Sequence, residues 1–398
     1  MCIVREFIRV SALLFGLLAT ALSLLAAAAG LALALIDGAP SLMNLTLLAS
    51  LAAVGAGLGA PLAWAAVRSW QRRPSPALRL PPAWWLGLSF IGLLLLGQLA
   101  LGTRLSLLLI PPLHVAVSLL PPLLVIAAIV PALQRAGAGL TRRSLASQFS
   151  FGGLAGALLA ITVESVLVMG VLLLAGAGVA ILPGGLDSIE RLAAELQNGA
   201  WMGDPMALLG RLLSPGFVLG LGLLVAVAIP LLEEFIKSLG APISGLLHGR
   251  LTRGQAFAAG VVAGAGFSFL EALFYAAQQL PHTWALGVIV RALTVVIHSA
   301  ATGLFALGWY EVAAGRPARF FPYAAGGVAI HAAWNALGGL LILAGLAVAG
   351  GQPAMLTIGS LGSLLGISLL ALTWLAALVV LISFTRRLAA ARDAGHAS

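Results

Sequence analysis

Hydrophobic and polar positions alternate along this chain on a long scale: apolar runs of twenty or more residues are separated by short polar joints. Crossing the hydrocarbon core of a bilayer takes ~20 predominantly apolar residues. Runs of that length fall at 8–36, 43–67, 83–103, 112–134, 150–183, 213–242, 255–279, 284–310, 320–349 and 355–385. The pattern therefore predicts an all-α, polytopic transmembrane helix bundle of about ten spans. The run at 150–183 is too long for an upright helix and carries Glu164 near its middle, so a tilt or a re-entrant continuation is expected there. Pro111–Pro112 and Pro121–Pro122 flank His114, which predicts a fourth span that is broken or begins late. His114 is accordingly expected in a loop or at the interface, without a catalytic role.

Composition strengthens this picture. Hydrophobic residues make up 61% of the chain and charged residues 8%, with a mean hydropathy of +1.10, which excludes a soluble domain of this length. Arg5 and Arg9 ahead of the first run resemble a secretory signal, but the apolar stretch is about twice as long as a signal needs. One cysteine, Cys2, allows no internal disulfide and no cysteine metal site. The net charge of +9 is spread over small arginine groups between apolar runs rather than gathered on a face, so nucleic acid is not an expected partner.

The arginines orient the bundle instead. Arg5, Arg9, Arg68, Arg72, Arg73, Arg79, Arg135, Arg142, Arg143, Arg250, Arg253, Arg316, Arg319, Arg386, Arg387 and Arg392 fall on one side of a ten-span map, against Arg104, Arg191 and Arg211 on the other. Both termini are expected in the cytoplasm, in a multi-pass protein of the cell membrane. The one sizeable loop, 184–212, is amphipathic around Ile189, Leu192, Leu196 and Trp201 and is expected on the outer face. Glycines at four-residue spacing, as in Gly55/Gly59 and Gly260/Gly264, predict close helix packing.

Chemistry concentrates after residue 230. The stretch Leu231–Leu239 places Glu233, Glu234 and the only lysine, Lys237, in an apolar helix, where each ionised group costs ~2.5–3.5 kcal/mol without a partner. Glu233 and Lys237 are i,i+4, just after Pro230, which frees a carbonyl one turn back and predicts a local kink; Phe267, Glu271 and Tyr275 form an i,i+4,i+8 row on the next span. Arg291, Thr294, His298 and Thr302 stripe the one after, and His331 and Asn335 are i,i+4 on the following one. Such groups are affordable together if they meet around a small wet cavity. Carboxylates can deprotonate a water, histidine can donate a proton and asparagine can stabilise an oxyanion, a set suited to hydrolysis by activated water. Ser268 and Ser299 each adjoin a polar-row residue and so point elsewhere, which argues against a serine nucleophile.

In order and spacing, Glu233-Glu234-x-x-Lys237, Phe267-x-x-x-Glu271, Arg291 with His298, and His331-x-x-x-Asn335 resemble the PrsW family of intramembrane proteases, within the superfamily of CAAX prenyl endopeptidases and bacteriocin-processing enzymes. The resemblance implies a catalytic core at 211–349, preceded by about five helices and the outer loop at 1–210 and followed by a final span and basic tail at 350–398. It implies hydrolysis of a peptide bond in a membrane-anchored protein, such as an anti-sigma-type regulator. Glu233 would be the base, with Glu234 the other candidate. Glu271 would orient the water, His331 and Asn335 would polarise the carbonyl, His298 would give a proton, and Lys237 and Arg291 would neutralise the carboxylates. The chain departs from the motifs at Ala272, Ile297 and Ala332, none of which removes a proposed catalytic group.

This reading is glutamic and needs no cofactor. Its rival is a zinc protease using His298, His331 and Glu271, since two histidines and a glutamate form an established zinc set, although no HExxH is present. A proton-coupled transporter is less favoured, because the polar set is confined to one part of the chain and matched halves are absent. A catalytically silent scaffold would leave the cluster without a task.

Overall fold

The structure is a computed structural model in which residues 2–38, 40–135, 139–181, 185–198, 222–349 and 353–396 are described. Regular structure among them is helical, apart from one isolated bridge between Ala77 and Thr141. The helices are α1 (Cys2–Ile36), α2 (Leu42–Trp70, with a π turn at Gly55–Gly59), α3 (Ala83–Leu101) and α4 (Ser106–Arg135). Next come α5 (Arg142–Ser150), a π segment at Phe151–Gly156, α6 (Ala157–Ala180) and α7 (Gly185–Gln197). After residue 221 follow α8 (Ile229–Ser238), α9 (Gly240–His248), α10 (Arg253–Tyr275), α11 (Trp284–Ala313), α12 (Phe320–Ala349) and α13 (Pro353–His396).

Nine helices among the described residues are long and apolar enough to cross a membrane, in keeping with an all-α polytopic bundle. They correspond to the expected spans except the sixth. The run 213–242 begins outside the described residues, and its described part is no continuous rod: a π turn at Leu224–Ala228 leads into α8, which stops at Ser238 before α9. Two prolines account for this. Pro230 has no N–H for the carbonyl one turn back, next to the widened π turn, and Pro242 likewise cannot cap Ser238. Of the expected outer loop, Ile189, Leu192 and Leu196 lie on α7, whereas Trp201 lies outside the described residues.

The prolines of the fourth span do not break it. α4 is continuous through Pro111, Pro112, Pro121, Pro122 and Pro131. Neighbouring helices and local adjustment re-satisfy carbonyls that proline frees in a membrane helix, and α4 is over half buried in its most apolar window. His114 is therefore a fully buried residue inside the bundle rather than in a loop or at the interface. The described part of the run at 150–183 is helical as far as Ala180, from α5 through the π segment into α6.

By compactness the chain forms two units, Met1–Ala157 with Glu233–His331 and Thr373–Ser398, and Leu158–Leu232 with Ala332–Leu372. At the centre of the first lies α10, 89% buried over its most apolar window, whereas the corresponding window of α1 is 11% buried and shows lipid Leu14, Leu18 and Leu22. Small residues make that burial possible. A Cβ at Gly260 would strike the Thr302 carbonyl, and one at Gly264 the His298 carbonyl, so α10 and α11 touch backbone to backbone. On its other side α10 meets the π segment, where a Cβ at Gly152 would collide with the Ala263 carbonyl. α10 begins at a capping box, with Thr252 and Gln255 satisfying each other's backbone N–H groups.

Candidate functional site

Lys237 is the hub. Its Nζ donates to Glu233 Oε2 at 2.8 Å, lies 2.9 Å from Glu234 Oε1 and 3.1 Å from His298 Nδ1, and rests 3.8 Å above the centre of the Phe267 ring. Glu233 and Glu234 reach it from one and the same helix because they are four and three residues before it on α8. The lysine and Glu234 side chains are fully buried; Glu233 keeps a tenth of its side chain exposed.

Glu234 spends both oxygens inside the protein. Oε1 faces His331 Nδ1 at 2.8 Å as well as Lys237, and Oε2 accepts from Thr302 Oγ1 at 2.6 Å. Glu233 Oε2 is 3.7 Å from His331 Nε2. The second carboxylate site is reached through His298, whose Nε2 stands 2.9 Å from Glu271 Oε2, and Arg291 holds the other Glu271 oxygen at 3.5 Å. The close α10–α11 contact at Gly264 sets His298 at this height, because the glycine lies against its carbonyl. The two imidazoles pack edge to face with centres 4.6 Å apart.

These contacts assign tautomers. His298 has a carboxylate at Nε2 and an ammonium at Nδ1, so Nε2 bears the proton and Nδ1 offers a lone pair. His331 has a carboxylate at Nδ1; in the neutral ring that nitrogen donates and Nε2 is left as an acceptor. Each histidine thus has one N–H tied to a carboxylate, the arrangement by which proteins orient metal-binding imidazoles. Ligand atoms of Glu233, Glu234, His298 and His331 all lie within 4.8 Å of one another. Nitrogen and oxygen donors in that number suit a divalent ion such as zinc, and the carboxylates that converge are Glu233 and Glu234, with Glu271 on the far nitrogen of His298.

Of the other sequence-predicted residues, Phe267, Glu271 and Arg291 stand around Lys237 and His298. Glu271 reaches His298 from the neighbouring helix α10 at 2.9 Å. The Phe267–Glu271–Tyr275 row serves three contacts: Phe267 under Lys237, Glu271 on His298, and Tyr275 beneath the Arg291 guanidinium at 4.6 Å. Asn335 belongs to the second compact unit, where its amide donates to the Val225 carbonyl at 3.4 Å. Thr302 joins the site through Glu234; it was visible in the polar stripe of α11, one turn beyond His298, and its hydroxyl is what that stripe supplies. Thr294 instead faces Ser268 at 3.2 Å, outside the cluster, which removes that serine from the site.

Residues 141–362, more than half of the chain, match a family described as PrsW family intramembrane metalloprotease. No curated protein and no solved structure matches the chain.

Proposed function

The chain belongs to the PrsW family of intramembrane metalloproteases, and on that premise we propose that its Glu233–Glu234–His298–His331 cluster hydrolyses a peptide bond of a membrane-anchored protein by means of an activated water. The observation that carries this reading is the convergence of two buried carboxylates and two oriented imidazoles, whose ligand atoms lie within 4.8 Å of one another. An anti-sigma-type regulator is the substrate class the family resemblance suggests.

Glu233 acts as the base. Its neighbour Glu234 has both oxygens engaged by Thr302, His331 and Lys237, whereas Glu233 retains exposed surface, and a base must reach water. Its carboxylate takes a proton from the water as the oxygen attacks the scissile carbonyl, and returns it to the leaving nitrogen as the C–N bond breaks. Glu234 holds His331 and Thr302 in place, and Glu271 with Arg291 fixes His298. Asn335, four residues beyond His331, is proposed to hold the oxyanion.

The donor set fits a metal ion: His298, His331 and Glu234 would hold it, and it would polarise the carbonyl and acidify the bound water. One observation favours a second, metal-free reading. The Lys237 ammonium already lies within 2.8–3.1 Å of Glu233, Glu234 and His298, the place of a cation among those donors. There it supplies the charge that the two carboxylates require.

Membrane proteins of the native host, compared between wild type and Glu233→Gln, test the protease reading. A cleavage fragment that disappears in the variant is expected, and the absence of any such fragment rejects it. Chelation of the purified protein separates the two readings: lost cleavage restored by zinc establishes the metal, and undiminished cleavage establishes Lys237 as the resident cation.

A further inference from the structure

Away from the cluster, on the arginine-rich side of the chain, a cavity of about 330 Å³ opens among α1, α2, α5 and α9. Its wall is apolar over most of its area, with Phe7, Phe15, Leu62 and Ile243 among the lining residues, yet Arg9, Arg143, Ser69 and Gln148 line it too. Three of these leave buried polar atoms without a partner: Arg9 Nε, Ser69 Oγ and Gln148 Oε1. Ser69 and Gln148 are more than nine-tenths buried. The Gln148 amide nitrogen donates to the Gly240 carbonyl at 3.2 Å and Arg9 pairs with Glu6 at 2.7 Å through Nη1, so the unused hydrogen-bonding capacity of these side chains lies on their other polar atoms. Arg143 adds a second guanidinium, anchored to the Arg73 carbonyl at 3.4 Å, and Arg5 lies at the same end, on the Leu246 carbonyl at 2.9 Å.

A buried polar atom without a partner costs about 1–3 kcal/mol, and native proteins seldom leave three on the residues that line one cavity. Water alone would answer the polar atoms but not the apolar wall, which stays dry or takes an apolar group. A molecule with an anionic, hydrogen-bonding head and a hydrocarbon body answers both. The arginine distribution puts this side toward the cytoplasm, whose leaflet is anionic.

We propose that this cavity is a binding site for an anionic phospholipid, with headgroup phosphate oxygens on Arg9 and Arg143, a headgroup hydroxyl between Ser69 and Gln148, and part of one acyl chain against Phe7, Phe15, Leu62 and Ile243. The volume is at the lower end of the ~300–1,000 Å³ of small-molecule sites, enough for the head and the first part of a chain rather than a whole lipid.

The test uses the full-length protein in nanodiscs of mixed phosphatidylglycerol and phosphatidylcholine carrying a photoactivatable acyl chain on one lipid at a time. Crosslinks from phosphatidylglycerol concentrated in peptides spanning Phe7–Phe15 and Ser147–Ala155, and at least about fivefold above those from phosphatidylcholine, are expected, fivefold being roughly what one basic residue contributes near an anionic surface. Arg9→Gln and Arg143→Gln should each reduce that preference by about fivefold, and Ala66→Leu should abolish the crosslinks by filling the cavity. Equal labelling by the two lipids in the wild type overturns the proposal and depends on no variant. Crosslinks spread evenly over the exposed helices overturn it as well, as does displacement by glycerol phosphate at the lipid's own concentration, which would make this a simple anion site.

Discussion

Two buried histidines occupy neighbouring parts of the same compact unit and have different surroundings. His114, on α4, accepts from Trp284 Nε1 at 3.1 Å on Nδ1, and its Nε2 faces the Leu273 carbonyl at 2.9 Å. Both ring nitrogens are then satisfied by neutral groups, with Nε2 protonated, and nothing is left to act on a substrate. His298, equally deep on α11, is bracketed by a carboxylate and an ammonium and presents a lone pair to further donor atoms. Burial and residue type are the same. What distinguishes a site from a clasp is surplus: charges and donor capacity beyond what the local fold consumes.

The sharpest way to break this contrast is to exchange the consequences. Glu233→Gln and His298→Ala are expected to lower substrate cleavage by about 10²–10⁴-fold, the range of a lost general base or its oriented partner. His114→Gln should leave the rate within a few-fold, because it touches no reacting group. Cleavage of a reporter substrate in proteoliposomes measures both. A loss at His114 as large as that at His298 would erase the distinction.

Lys237→Met probes the charge surplus through stability. Removing the ammonium leaves two carboxylates buried without compensation, a loss of about 3–5 kcal/mol for a broken buried pair. Thermal unfolding in detergent should show it, and Glu233→Gln combined with Lys237→Met should recover part of the loss by removing one of the stranded charges. Added zinc that restores the stability of Lys237→Met would identify the lysine and a metal as alternative occupants of one place. Thr302→Val is smaller: one hydrogen bond to the Glu234 carboxylate, about 1.5–3 kcal/mol, with a matching fall in cleavage as Glu234 and His331 lose their fixed orientation.

The same contrast explains what the sequence could and could not disclose. Spacing alone put Glu233 beside Lys237 and made Phe267, Glu271 and Tyr275 a row, because i,i+4 neighbours are set by helix geometry whatever surrounds them. Order along consecutive spans then made the convergence legible, since neighbouring helices in a bundle are usually neighbours in sequence. Proline misled in α4 because its cost was judged for an isolated helix, whereas a packed membrane helix re-satisfies the freed carbonyl. Hence His114 was misplaced. Nor could pattern reveal its clasp: Trp284 lies 170 residues away, and indole-to-imidazole hydrogen bonding leaves no periodic trace. The kink at Pro230 is legible from the missing N–H alone, whereas the stop of α8 at Ser238, ahead of Pro242, is not part of the expected sixth span.

The smallest expected effect tests whether the His114 region is indeed a clasp with built-in redundancy. Leu273 is near the end of α10, where carbonyls run out of helical donors. Its oxygen accepts from Ser50 Oγ at 3.0 Å in addition to its contact with His114. Ser50 has one hydroxyl proton and a second acceptor in the Thr46 carbonyl at 2.8 Å, so its bond to Leu273 is a shared one. Ser50→Ala should therefore cost only about 0.6 kcal/mol, the average for a hydrogen bond between membrane helices, because His114 still serves the carbonyl. His114→Leu should cost more, since it also strands the Trp284 N–H. Only with both changes is the Leu273 carbonyl deserted, and the double variant should lose about 1 kcal/mol beyond the sum of the singles. Strict additivity would mean that the two side chains do not share that carbonyl. A coupling of this size with cleavage unchanged would place redundancy in the clasp, whereas in the cluster each donor has a separate task.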